Sequence, residues 1–237
     1  MTTLQITHLQ EPEVLRLGWI PPVKMGTKHR TWRHIANLYR GSSSEEPYLE
    51  YLNGSEDYRI ALEMGFEGYP AFPLKQEVHR TGVLDSLLNR LPPNKRSDFK
   101  DYLQQFRLPA DVSPSSFALL GYTGARLPSD GFAFYLPLET FPAPFECLFE
   151  VAGYRYECLA PQVDLRVGDS VSLESLSDHP NDPNAVQLNH ALGKLGYVPR
   201  LYSSSLRHLN LNQASAFIER INGSSDRPLM RVLLKVQ

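Results

Sequence analysis

At 237 residues the chain has room for one large domain or two ordinary ones, and two is the better fit because domains cluster near about 100–150 residues. Lys and Arg number 24 against 26 Asp and Glu, for a net charge of −2, which excludes the strong overall basic field of a non-specific nucleic-acid binder. Any contact with DNA must then be local. The two cysteines, Cys147 and Cys158, are too few for a disulfide framework and stand apart from any Cys/His cluster.

In chain order, the opening MTTLQITHLQEPEV has neither a basic n-region nor a continuous apolar h-region, and no apolar run approaches the ~18 residues of a membrane span. The expectation is a soluble, cytoplasmic protein with no membrane partner. To about residue 140, short strand-like pieces mix with helix-like ones. The basic stretch KMGTKHRTWRH at 24–34, with Trp32 interleaved, reads as a solvated loop, and SSSEEP at 42–47 as another polar loop. In TGVLDSLLNRLPPNKR, apolar Val83, Leu84, Leu87, Leu88 and Leu91 recur at helical spacing until Pro92 and Pro93 stop the pattern. A second helix is predicted from Ser97, a capping residue, with Phe99, Tyr102, Leu103 and Phe106 on one face and Asp98 in the first turn. A third is predicted after Ser113-Pro114, carrying Phe117, Leu119 and Leu120. The stretch 121–144, rich in glycine, proline and aromatics, predicts turns, a short strand and a linker near FPAPF.

From Phe145 the pattern becomes period two. FECLFEVAGYRYECL predicts one strand, or a hairpin kinked at Gly153, and VGDSVSLESL a turn at Gly168-Asp169 followed by a strand. AVQL, a turn at Gly193 and KLGYVP come next, then a short capped helix in SSSLRHLNL. ASAFIERI and PLMRVLLKV close the chain as a hairpin. The architecture is therefore α+β: a small mixed α/β domain over residues 1–140, then a compact β barrel or meander from about 145 to 237.

Within that second half lie VAGYRYEC, RVGDSVSLESLSDHPNDPNAVQL and KLGYVPR. This ordered set resembles the HIRAN family, a small OB-like β domain, and the resemblance covers roughly residues 145–237. It implies an OB-like β barrel that binds single-stranded DNA at a free 3′-hydroxyl end. The residue chemistry suits such a role. A carboxylate facing continuous strand is repelled by every phosphate, whereas a terminal hydroxyl can donate to it in a charge-assisted hydrogen bond. Asp182 is the candidate acceptor by its match to the family's aspartate, with Asp178 a second. Tyr156, and with it Tyr154 or Tyr197, are candidates to stack on the last base, and Arg155 and Arg200 to hold phosphates just inside the end. His179 and Asn181 belong to the same loop. Asn181 stands where remodeller-type members commonly carry a stacking tyrosine, and His179 where they often have asparagine. A blander reading runs beside this one. Asp182 and Asn184 can simply fold the loop, Tyr154 and Tyr156 can be barrel core, and Arg166, Arg207 and Lys194 read as solvated surface charges. Residues 151–237 hold nine Lys/Arg against eight Asp/Glu, so the local field is nearly balanced.

GVLDSLLNRLPPNKRSDFKDYLQQFRLP and PSSFALLGYTGARLPSDGF are similar, more loosely, to the N-terminal subdomain of HipA-type kinases, over about residues 45–135. That likeness implies a surface on residues 1–140 that docks on a separate kinase or toxin. No kinase core follows. There is no Gly-x-x-x-x-Gly-Lys-Ser/Thr, Gly-x-Ser-x-Gly or His-Glu-x-x-His, and prolines occupy positions an EF-hand needs for ligands. His29, His34, His79 and His208 read as surface or satisfied core residues. The expectation is a binding protein and not an enzyme, with no cofactor and no metal site.

Overall fold

The first strand shows how alternation builds the fold. Leu15 and Leu17 point inward and are fully buried while Arg16 between them is only half-buried, as period two requires. The structure, a computed structural model, describes residues 4–22, 31–111, 114–158, 164–180, 182–224 and 227–237. The chain forms two units, neither contiguous in sequence: residues 11–100 with 113–137, and residues 138–237 with the described parts of 1–10 and 101–112. A single cut near residue 140 is what composition suggests. The observed division instead assigns two short early segments to the later unit.

The first unit is built on an antiparallel sheet of β1 (Val14–Trp19), β2 (Arg33–Tyr39), β3 (Tyr48–Tyr51), β4 (Val78–His79) and β5 (Phe132–Tyr135), in the order β4-β3-β2-β1-β5. Helix α1 (Glu56–Glu63) starts at Ser55, whose hydroxyl accepts the Tyr58 amide at 3.1 Å, with Glu56 and Asp57 suiting the positive end of the dipole. Helix α2 (Val83–Leu88) buries Val83 and Leu87 as its spacing predicts, but it stops short of the prolines. Residues 89–91 tighten into i→i−3 bonds, Arg90 N–H to Leu87 O at 3.0 Å and Leu91 N–H to Leu88 O at 2.9 Å. Arg90, 6% exposed, is thereby used inside the unit. Its guanidinium donates to both oxygens of Asp130 at 2.7 and 2.9 Å, to the Ala125 carbonyl at 2.8 Å and to the Phe132 carbonyl at 3.1 Å.

Helix α3 (Phe99–Gln105) begins two residues after Ser97, and Asp98 is paired with Arg96 at 2.6 Å. Helix α4 (Ser116–Thr123) is capped by Ser115, whose hydroxyl accepts the Ala118 amide at 3.0 Å. The proline expected at its first position precedes that cap, and Ser113 lies outside the described residues. All of Phe117–Thr123 is buried. Gly121 has a steric reason, since a Cβ there would meet Leu15 and Leu136 at 2.6 Å.

The second unit holds β6 (Phe145–Glu150), α5 (Tyr154–Glu157), β7 (Ser170–Ser175), β8 (Val186–His190), β9 (Gly193–Tyr197), α6 (Arg200–His208), β10 (Ala214–Ser224) and β11 (Arg227–Val236). Its six antiparallel strands run in the order β6-β11-β10-β7-β8-β9. The sheet curls until its ends meet: just past β6, Ala152 exchanges two backbone hydrogen bonds of 2.8 Å with Tyr197 of β9. That single bridge joins the ends of a curled half-barrel sheet. It also demands Gly196, where φ is +144° and a Cβ would sit 2.6 Å from the Ala152 carbonyl oxygen. Val171, Val186, Leu188, Leu195, Ile218 and Val232 are all at most 5% exposed and form the interior. Cys147 is 1% exposed, and burial pushes its thiol up to about 12, so it is an inert core residue. Helix α6 starts at Arg200 behind Pro199, earlier than the serine-capped start predicted, and buries Leu201, Tyr202 and Leu206. Two early segments are tied onto this unit. Glu146 accepts the Thr7 and His8 amides at 3.2 and 2.8 Å, and Arg107 donates to Glu219 at 2.5 Å.

Candidate nucleic-acid interface

The candidate residues gather where the barrel closes. The expected strand through GYRYE does not form. Gly153, at φ +74°, enters a left-handed conformation, and its carbonyl accepts the Tyr156 and Glu157 amides, both at 2.8 Å, winding residues 154–157 into the single turn α5. The correction matters because residues two apart share a face on a strand but lie on nearly opposite sides of a helix. Tyr154 is therefore core, 2% exposed, with its phenol pushed up to about 12 by burial. Tyr156 is 79% exposed. Arg155 is also exposed and lies over the Tyr156 ring, 5.2 Å from its centroid, a cation–π arrangement on an open aromatic face.

The loop 178–184 reaches the same end of the barrel. Leu176 donates to the Ala185 carbonyl at 2.9 Å and closes the loop at its base. At its middle, His179 meets Tyr197 with ring centroids 4.8 Å apart, nearly edge-on at 69°. Asp178 is exposed and His179 half-buried; Asn181 lies outside the described residues. Asp182 is 8% exposed. Its Oδ1 accepts the Asn184 amide at 3.0 Å, an Asx turn that holds Pro183 in place. One oxygen thus folds the loop, as the turn reading of Asp182 and Asn184 expects. Among the described residues only Oδ1 carries a side-chain hydrogen bond, and the residue as a whole is buried.

Tyr197 is not an open stacking platform. Besides His179 at its edge, the ammonium of Lys194 sits 4.3 Å from its ring centroid and donates to its hydroxyl at 2.7 Å. Lys194 also donates to Glu157 Oε2 of α5 at 2.6 Å. Reading Lys194 as a solvated surface charge is overturned, since its side chain is only 16% exposed. Burial alone would lower its pKa, but the bonds to Glu157 and Tyr197 outweigh burial and raise it. Arg200 opens α6 and is half-buried. Arg166 and Arg207 are exposed, as expected of surface charges, and Arg207 donates to the Leu176 carbonyl.

The structure thus joins α5, β9 and the loop through a chain of contacts from Glu157 to Lys194, Tyr197 and His179. No sequence signal marks the Glu157–Lys194 pair, whose members lie 37 residues apart. Among the described residues no group of His, Cys, Asp and Glu is placed to hold a metal, and no helix is long and apolar enough to cross a membrane. Of the 24–34 stretch only Thr31, Trp32, Arg33 and His34 are described. Trp32 lies under Arg126 at 5.0 Å, and Arg33 pairs with Asp57 at 3.2 Å, so this part is structured and not a solvated loop. Of the histidines read as surface or satisfied core, His29 lies outside the described residues, His208 is exposed, and His79 is buried with Nε2 unpaired.

Comparison with known proteins agrees with the second half of the chain. The HIRAN domain family profile matches residues 144–237. A crystal structure of the HIRAN domain of human HLTF is similar at 19% identity and a TM-score of 0.32, covering 38% of this chain and 74% of that one. No curated protein sequence matches the chain significantly. The family match does not extend over residues 45–135, so the likeness to HipA-type kinases, and with it a kinase or toxin partner, gains no support.

Proposed function

We propose that residues 144–237 bind single-stranded DNA at a free 3′ end, and that the protein acts as a binding module and not as an enzyme. The HIRAN match supports nucleic-acid binding. The observation that carries the reading is Tyr156: an aromatic side chain 79% exposed, on a one-turn helix beside Arg155 whose Glu157 connects through Lys194 and Tyr197 to His179 of the aspartate loop. A large ring left in water serves no folding purpose, and base stacking on such a ring contributes about 1–3 kcal/mol whatever the base. Arg155 supplies the adjacent positive charge for a phosphate. In this reading Oδ2 of Asp182 accepts the terminal hydroxyl, while its other oxygen keeps the loop in register. The same carboxylate disfavours a terminal phosphate by charge repulsion. A fluorescence titration with a labelled single strand and its 3′-phosphorylated twin tests this. Tighter binding of the hydroxyl form is expected, and equal binding of the two rejects the hydroxyl mechanism.

A further inference from the structure

Resting on that reading, we infer that Lys194 is a phosphate-binding residue of the groove, held ready by Tyr197 and masked by Glu157 until a strand arrives. The ammonium has three donors, of which Glu157 and Tyr197 take two at 2.6 and 2.7 Å. Its position does not depend on Glu157 alone, because the Tyr197 ring face and hydroxyl both hold it. A phosphate therefore meets a cation that has already lost its side-chain freedom, which lowers the entropy cost of the contact.

The mask is easy to remove. Glu157 is 46% exposed, and water and salt screen an ion pair with so open a member, so it is weakly held. Glu157 also follows Tyr156 directly in α5, so a strand stacked on that ring brings its phosphates toward the carboxylate. Exchange of carboxylate for phosphate on Lys194 then relieves like-charge repulsion and keeps the lysine paired. The exchange leaves Lys194 neutralised when the site is empty and available when it is filled, which suits residues 151–237 with their nine Lys/Arg against eight Asp/Glu.

The test is a salt series on the full chain with a 3′-hydroxyl single strand, comparing wild type, Glu157→Gln, Lys194→Gln, the double variant and Lys194→Arg, each checked by thermal melting. Glu157→Gln is expected to bind roughly 3–10-fold tighter at low salt, because no carboxylate has to leave Lys194 before a phosphate meets it, whereas Lys194→Gln should flatten the slope of log affinity against log salt by about 0.7, the value for one phosphate contact on a single strand. Lys194→Gln is expected to bind several-fold more weakly, Lys194→Arg close to wild type, and the gain from Glu157→Gln to shrink in the double variant. Lys194→Gln with wild-type affinity and slope, or an undiminished gain in the double variant, overturns the inference while leaving the DNA reading intact. Absence of binding by wild type and Glu157→Gln alike overturns both.

Discussion

Arg90 in the five-stranded unit and the polar groups at the closing end of the barrel are treated in opposite ways, although the first unit also buries His79 with Nε2 unpaired. In the five-stranded unit Arg90 is enclosed and answered on every side, by Asp130, two carbonyls and the Tyr69 hydroxyl at 3.3 Å. His34 is held between Asn37 at 2.9 Å and the neighbouring Arg16 and Asp57. In the barrel the corresponding groups stop short of closure. Tyr156 is in water, Asp182 is buried with only one oxygen hydrogen-bonded among the described residues, and Lys194 is covered by a carboxylate that is itself half exposed. Complete satisfaction makes a scaffold, whereas incomplete satisfaction at one end of a rigid barrel makes a place for a ligand.

Removing the guanidinium breaks the scaffold side of this contrast. Arg90→Met strands a carboxylate, a hydroxyl and two carbonyls, and should lower unfolding stability by about 3–5 kcal/mol in denaturant titration. His34 sharpens the same side through pH. Burial first, and Arg16 second, push it down to about 4 from an ordinary value near 6.5. Its folded pKa is the lower one, so below 6.5 the unfolded chain takes up a proton that the folded chain refuses. Stability should therefore be unaffected above about pH 7, fall by up to roughly 3 kcal/mol between pH 6.5 and 4, and level off below. His34→Gln should flatten that part of the profile.

On the binding side, Tyr156→Ala should cost about 1–3 kcal/mol in affinity for single strands and leave the melting temperature unchanged. A Tyr156 variant that melts early would mean the ring is structural after all. The smallest effect separates the two oxygens of Asp182. Asn can still accept the Asn184 amide but lacks the charge, so Asp182→Asn should keep stability and lose preference for a hydroxyl end. Asp182→Ala should lose that preference and also about 1 kcal/mol of stability.

How much of this is written in the chain depends on the range of the forces involved. β7, β10 and β11 are legible because they run for six to eleven residues, and the turns at Gly168 and Gly193 mark themselves. The first sheet is hard to read: β4 has two residues, β3 four, and β5 is buried at all four positions, so neither length nor alternation survives. Tyr-Arg-Tyr-Glu alternates like a strand, yet Gly153 turns it into a helix because the barrel must close at Ala152. The turn-forming half of the Asp182 role follows from local Asx chemistry. The burial of Lys194 does not, since it needs Glu157 from 37 residues away as well as the nearby Tyr197.

The central claim is that the barrel recognises where a strand stops. Competition between a labelled linear oligonucleotide and two unlabelled rivals of the same sequence, one linear and one covalently circular, tests it most directly. The account predicts that the linear rival displaces the label and the circle does so far less well, and equal displacement by the two would contradict it.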